Sequence, residues 1–576
     1  MKKRALASFA GAGLLAGALA LPSAALACGG FFCNSTPVDQ SAERIIFVQE
    51  DANTVTSYVE ITYQGDPEAF AWVVPIPSVA ELGVLPGGAF NALDLATQPQ
   101  FEIPWGGCFE AAAGGVDDAD GNGAPPPGEV NVLDQQRVGP FDTATIESDD
   151  PRALIEWLRL NEYRITEEME PFVALYTAEG MKFLAMKLAP GEDTASIQPI
   201  KMTYQAAGPA VPLRLTSVAA QLEMGVKIWI LSEGRYGPLN VPDLAIEDAD
   251  LVFDPRSYST NYLALVARKV DENNGHGFVT ELSQPSAPLA QTVRESFVPE
   301  WAGQEAIDAR DSLAKLLESK PYITRLYTRL SPEEMDLDPV FGPVGGGDVS
   351  NLHRVEVPED QQDLCGWEPE AAEAFDACDF AACGAGGACA EVAVGDGNGG
   401  FNQAGCACAE GMLARAGIDP AGLPFVSCGD ARLNFTAVGL DNGPVSFPDA
   451  CAANTCGDNG ECVMLNGFPS CRCATGYVAV AIADAEGMPS ATCAAPIAPL
   501  PANVLAGLTV REPNLPYPGR VSPMEPYSPM MPPVAGDGGG MKGSGGGGCT
   551  STPGAPGAPA GLIALLLALP FIRRRR

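Results

Sequence analysis

Residues 43–63 read Glu43-Arg44-Ile45-Ile46-Phe47-Val48-Gln49-Glu50-Asp51-Ala52-Asn53-Thr54-Val55-Thr56-Ser57-Tyr58-Val59-Glu60-Ile61-Thr62-Tyr63. Two β-rich runs, Glu43 to Val48 and Thr54 to Tyr63, alternate in part and flank a turn at Asp51-Ala52-Asn53. They predict paired strands. Further strand candidates are Phe70 to Ile76, Phe172 to Tyr176, Met181 to Leu188, Pro212 to Val218, Val226 to Leu231, Tyr262 to Lys269 and Tyr322 to Leu330. Two helices stand out among them. Asp150 can cap a helix whose first residue is Pro151. Glu305 to Lys320 places Ile307, Leu313, Leu316 and Leu317 near one face. Ser331 and Glu334 fit a capping box for a short third helix. Strands outnumber helices and do not alternate with them, so the predicted class is α+β with mainly antiparallel sheet. This large N-terminal domain covers 28–357, long enough to bury ~75% of its unfolded surface.

The chain has 576 residues, of which 46% are apolar and 18% charged, a composition that excludes wholesale disorder. Its net charge is −38, and seven of the 34 basic residues sit at the two ends, which carry no acid. The rest sets 27 basic residues against 72 acidic ones. Such a body repels phosphate backbones, so nucleic acid is not expected as a partner. His276 and His353 are the only histidines, which leaves little material for histidine catalysis or a multi-histidine metal site.

Both ends read as addresses. Lys2-Lys3-Arg4, the apolar run Ala5 to Leu21 and Ala25-Leu26-Ala27 form a secretory signal peptide over 1–27. Cleavage after Ala27 makes Cys28 the first mature residue. Ala25-Leu26-Ala27 is also an imperfect lipobox, so Cys28 is open either to lipidation or to a small disulfide loop with Cys33. At the other end Cys549 precedes a Pro/Ala/Gly spacer, the apolar run Ala558 to Ile572 and the cluster Arg573 to Arg576. Fifteen apolar residues rise only ~22 Å as a helix, short of a ~30 Å hydrocarbon core. This segment, 549–576, resembles the MYXO-CTERM sorting signals of myxobacteria. The resemblance implies a transient anchor cut near Cys549 and a mature protein at the cell surface. A permanent single-span anchor is the alternative. Between the body and this tail, 495–548 holds eleven prolines from Pro496 to Pro533 and then a Gly run, a semi-rigid stalk in composition.

Cysteine spacing reveals a repeat. Cys378, Cys383, Cys389, Cys406, Cys408 and Cys428 are separated by 4, 5, 16, 1 and 19 residues. Cys451, Cys456, Cys462, Cys471, Cys473 and Cys493 are separated by 4, 5, 8, 1 and 19. Six cysteines with Cys-x-Cys between fourth and fifth resemble an EGF-like module, here as two copies over 365–430 and 445–494. The resemblance implies first-to-third, second-to-fourth and fifth-to-sixth bridges: Cys378–Cys389, Cys383–Cys406 and Cys408–Cys428, then Cys451–Cys462, Cys456–Cys471 and Cys473–Cys493. Spacing alone leaves fifteen pairings per copy. Modules this short lack core area, and bridges of ~2–4 kcal/mol each replace it. Of the remaining cysteines, Cys28–Cys33 and Cys108–Cys365 are the expected pairs.

The large domain carries Cys28-Gly29-Gly30-Phe31-Phe32-Cys33, Pro37-Val38-Asp39-Gln40 with Glu43-Arg44-Ile45, Phe70-Ala71-Trp72-Val73-Val74-Pro75-Ile76-Pro77, Val138-Gly139-Pro140-Phe141-Asp142, Pro212-Leu213-Arg214-Leu215 and Tyr322-Ile323-Thr324-Arg325-Leu326. In these stretches it resembles the bacterial exported family called domain of unknown function 2330. The resemblance implies no activity. No Gly-x-Ser-x-Gly, P-loop, His-Glu-x-x-His or Rossmann fingerprint is present, and no catalytic residue is assigned. His276 sits in a turn-like Asn273-Asn274-Gly275-His276-Gly277. One literal match is to a calcium loop: Asp118, Asp120 and Asn122, with Glu129 closing it. Pro125-Pro126-Pro127 spoils the helix that should follow, so a solvated acidic loop is the default and Ca2+ the one candidate cofactor.

Three functions are carried forward. The favoured one is an exported protein anchored at the cell surface or outer membrane, with a structural, adhesive or binding role and an unidentified protein or glycan ligand. A secreted carboxylate-dependent hydrolase requires a deep pocket with two convergent acids. A calcium-dependent adhesin requires stabilisation by calcium through Asp118, Asp120 and Glu129.

Overall fold

The computed structural model describes residues 40–520, apart from 61–69, 104–130, 357–375, 394–401, 434–450 and shorter stretches. The large domain opens with β1 (Gln40–Asp51) and β2 (Thr54–Glu60), paired antiparallel around the turn at residues 51–54. β3 (Ala71–Ile76), β4 (Glu81–Val84) and α1 (Ala89–Thr97) follow. Next come β5 (Asn131–Val138), β6 (Phe141–Glu147), α2 (Pro151–Leu160) and α3 (Glu170–Ala178). β7 (Lys182–Leu188), β8 (Ile200–Gln205), α4 (Leu213–Thr216) and β9 (Ala220–Ser232) lead to the short β10 (Asp243–Leu244). α5 (Tyr262–Glu272), β11 (Phe278–Pro285), α6 (Ser286–Glu295), α7 (Gly303–Glu318) and β12 (Tyr322–Leu330) complete it.

These elements form an α+β fold in layers. An eight-stranded sheet has the order β10-β11-β12-β9-β1-β2-β8-β4, and a four-stranded sheet the order β3-β7-β6-β5. Within these two sheets pairing is antiparallel except for β1 with β9 and β10 with β11. Strand β1 is buried on both faces, so its period of two sorts two cores. Ile45 and Phe47 join the core shared with the four-stranded sheet, together with Trp72, Phe141 and Phe183. Ile46 and Val48 join the core under α1, α6 and α7, with Phe90, Leu313 and Leu317. Asp150 accepts from Arg152 N at 2.9 Å and caps α2, an interaction of ~1 kcal/mol. Ser331 and Glu334 form their capping box on a 3-10 turn, Pro332–Glu334.

Three predicted strands are helices. Phe172 to Tyr176 lies in α3, Pro212 to Val218 around α4, and Tyr262 to Lys269 in α5. Each is a short apolar run, for which strand and buried helix look alike. In α5 the buried Tyr262, Leu265 and Val266 follow the helical period and pack in one core.

The cysteine-rich region comprises β13 (Gly387–Ala393), β14 (Asn402–Cys408), β15 (Met412–Ile418) and β16 (Pro424–Asp430) from the first repeat. The second repeat supplies β17 (Gly460–Leu465), β18 (Phe468–Cys473), β19 (Val478–Ala483) and β20 (Pro489–Ala494). The repeats are not successive beads. Their strands order as β13-β14-β19-β20 and β16-β15-β18-β17, so each sheet takes one hairpin from each repeat. The exchange is reciprocal: Cys406 pairs with Ala479, and Cys471, its counterpart, pairs with Ala414, the counterpart of Ala479. One core of cysteines, alanines, Met412 and Val426 serves both.

This body docks on the large domain. Arg268 of α5 donates to the carbonyls of Cys378, Asp379 and Ala381 at 2.7, 3.0 and 3.3 Å. Ser427 Oγ donates to Glu223 at 3.0 Å, and the Arg329 guanidinium lies 5.6 Å from the Phe425 ring centre. The Pro-rich stretch, read from composition as stalk from residue 495, begins docked. It holds α8 (Ala502–Gly507), and Leu515 is fully buried in the intersheet core. Arg511 Nη2 and Asn514 N both donate to Asp336, at 2.6 and 2.7 Å.

Candidate functional site

Between the two sheets lies a cavity of about 390 Å³. Strands β1 and β2 place Ile45, Phe47, Ser57 and Val59 on one wall, and β3 places Trp72, Val74 and Ile76 on the other. Met202 and Tyr204 of β8 extend the first wall, and Ala206 to Gly208, Ala210 to Pro212, Asp338 and Val340 to Pro343 add to the lining. The lining is mostly apolar, with a few acids.

The acids differ in their partners. Arg214, buried in α4, donates to Asp338 through Nε at 3.0 Å and Nη2 at 2.6 Å. Its Nη1 and Nη2 also grip Glu179 at 3.0 and 2.9 Å. Tyr176 Oη donates to both Asp338 oxygens, at 3.0 and 2.9 Å. Burial first, and then the Asp338 charge, push the Tyr176 hydroxyl well above its usual range. Glu60 takes the Arg44 guanidinium. Glu43 is different. It is half-buried, yet its Oε2 is sealed from solvent and has no partner among the described residues. Burial pushes its carboxyl up to about 7. The cavity therefore combines apolar walls, an ion-paired end and one uncompensated carboxyl that titrates near neutrality.

A second buried network lies across the eight-stranded sheet. Arg325 pairs with Glu281 and with Asp94 at 2.6 Å, and its Nη1 shares Thr97 Oγ1 with Trp229 Nε1. It sits in the packed core under α1 and fixes that helix to the sheet.

The histidines are structural pins. His276 Nε2 lies 2.8 Å from Asp336 Oδ1, the carboxylate that anchors Arg511 and Asn514. Burial would raise Asp336, but hydrogen bonds from His276 and Asn514 and the Arg511 charge hold it below the usual carboxylate range. His353 Nδ1 lies 2.9 Å from Asp248, and its ring stacks on Phe101.

Among the described residues, six disulfides join Cys378 to Cys389, Cys383 to Cys406, Cys408 to Cys428, Cys451 to Cys462, Cys456 to Cys471 and Cys473 to Cys493. Ala27, Cys28, Cys33, Cys108, Asp118, Asp120, Asn122, Glu129, Cys365 and Cys549 lie outside the described residues. Among the described residues, no three His, Cys, Asp or Glu side chains are arranged to hold a metal, and no helix is long and apolar enough to cross a membrane.

Three of the motif stretches quoted above meet at the cavity: Glu43 and Ile45, Trp72 with Val74 to Pro77, and Pro212 with Arg214. A layered α+β domain enclosing such a cavity is the class the geometry defines. Residues 22–341 match the family described as uncharacterized protein conserved in bacteria (DUF2330), and the chain belongs to that family. No curated protein and no solved structure matches the chain.

Sequence reasoning missed Glu43 as a site residue. With 72 acids in the chain, two signals distinguished it: its place in the quoted stretch Glu43-Arg44-Ile45, and a carboxylate on the same face of the first strand as Ile45 and Phe47.

Proposed function

We propose that this chain is an exported binding protein, held at the cell surface by its C-terminal segment, whose large domain takes a small apolar ligand into the cavity between its sheets. The cavity carries the proposal. Its volume of about 390 Å³ lies within the ~300–1,000 Å³ typical of small-molecule sites, and its walls are apolar with a few polar groups, the usual composition of such sites. The reading of export draws on the signal-peptide pattern and on six disulfides, which persist in oxidising compartments. The two repeats, taken as EGF-like modules, and the remaining Pro/Gly-rich stretch beyond residue 520 then hold the large domain away from the membrane.

A carboxylate-dependent hydrolase is the second reading. One observation favours it: Glu43 titrates near neutrality in a cavity, as a general acid or base does. Against it, Glu179 and Asp338 are both gripped by Arg214, and Glu60 by Arg44.

Mass spectrometry of the protein from its own membrane and medium fractions tests the proposal. Denatured, the expected chain starts at Cys28 and lacks Arg573 to Arg576. Under native conditions it carries a non-covalent adduct that denaturation removes. A chain without adduct that also fails to bind any apolar probe overturns the ligand-binding reading. Retention of Arg573 to Arg576 in the inner membrane overturns the sorting reading.

A further inference from the structure

The geometry points to the ligand's chemical class, and the inference rests on the cavity being the ligand site. We propose that the cavity takes an amine with an apolar body, its ammonium paired with Glu43. The apolar part follows from Ile45, Phe47, Val59 and Trp72 on the facing walls. The charge follows from what Glu43 lacks. Its Oε2 is buried without a partner among the described residues, an unfavourable state for a neutral group and a more unfavourable one for a charge. A neighbouring cation would relieve it, and the protein's own are engaged elsewhere. Arg44, the next residue, projects from the opposite face of β1 and pairs with Glu60 and, through Nη1, with Asn91 at 2.9 Å. Arg214 is the sole cation among the described lining residues, and it is held by Asp338 and Glu179. The cation that matches Glu43 therefore comes with the ligand.

The balance of charge points the same way. With Glu60 neutralised by Arg44, Glu43, Glu179 and Asp338 line the cavity against Arg214 alone. A carboxylate or phosphate ligand would enter against that surplus, whereas an ammonium enters with it. Burial also pushes Glu43 up to about 7, and a bound ammonium would lower it again by favouring the charged form.

The test uses three probes of one chain length, 1-octylamine, 1-octanol and octanoate, titrated calorimetrically into the full mature protein at about pH 8. Octylamine is expected to bind tighter than octanol by on the order of tenfold or more, since a hydrogen bond to a charged group contributes ~1.5–3 kcal/mol. Octanoate is expected to bind weakest. Glu43→Gln should bring octylamine down to the level of octanol and leave octanol unchanged, which also shows that the variant is folded. Glu233→Gln, at an exposed carboxylate, should leave all three unchanged and so separates pairing at Glu43 from general attraction to an acidic protein. Equal binding of amine and alcohol to the wild type overturns the amine assignment and leaves the cavity standing. An amine preference that survives Glu43→Gln overturns the role of Glu43. Failure of all three probes overturns the cavity reading and this inference with it.

Discussion

The large domain and the cysteine-rich body solve the same problem with different materials. The first closes its cores with Ile, Val, Leu and aromatic side chains stacked between layers. The second has a core mainly of cysteine and alanine, and six disulfides stand where apolar area is short. Apolar area leaves room for an imperfection such as an intersheet cavity, because many contacts share the load. A body held by bridges has no such margin. The lesson is about where function can sit: the cavity and Glu43, whose Oε2 has no partner among the described residues, lie in the domain that can tolerate them.

The largest expected effect breaks a bridge. Cys383→Ser with Cys406→Ser should destabilise the cysteine-rich body by ~2–5 kcal/mol. Because β14 pairs with β19 of the other repeat at Cys406 and Ala479, protection from hydrogen exchange should fall in both repeats. The amides of β9 and β12 should keep theirs. If only the first repeat loses protection, the shared sheets do not couple the repeats and the comparison must be drawn among three bodies.

The two regions also differed in legibility. The β1–β2 pairing was readable because Asp51-Ala52-Asn53 separates two β-rich runs. The α2 start was readable because Asp150 precedes Pro151, where a cap and a missing N–H belong. Helices α3 and α5 were not, since a few buried apolar residues fit either period. The hairpin exchange was beyond the sequence for a physical reason. Cysteine spacing records partners within a repeat, and strand pairing across repeats uses backbone groups that every residue has. The docking of Arg511 and Leu515 was hidden by the prolines around them, though Leu515 is an apolar residue a free stalk does not need. Glu43 was legible as a residue and illegible as a site, because its lack of a partner is a property of the fold.

A middle-sized effect sharpens the large-domain side. Glu43 has an ordinary pKa of 4.5, raised to about 7 in the fold. The folded state therefore keeps a proton that the unfolded chain gives up between those values, and stability falls as pH rises through that window. The loss is at most ~3 kcal/mol. Asp271, Glu333 and Glu334 at the junction are also pushed well up, by burial and by neighbouring carboxylates, so the wild-type slope alone is ambiguous. The difference between wild type and Glu43→Gln isolates Glu43. Denaturant midpoints should show the variant gaining stability relative to wild type from about pH 5 to about pH 8. A pH-independent difference would mean that Glu43 is solvated, and the cavity would lose its distinguishing group.

The smallest expected effect tests the boundary between the two regions. Arg268 reaches from α5 to three carbonyl oxygens of the first cysteine-rich turn, at Cys378, Asp379 and Ala381. Those oxygens lie at a half-buried edge, so water can replace part of what Arg268→Ala removes, and the expected loss is ~1 kcal/mol. Such a loss speeds exchange of the β13 and β14 amides by about fivefold, while β9 and β12 stay unchanged. That outcome makes the regions two cooperative units joined by a modest contact. Equal acceleration in both would make them one unit, because the loss would then lower the stability of a single transition. In that case the difference in core material would no longer mark a difference in folding, and the cavity's tolerance would have to be credited partly to the disulfides.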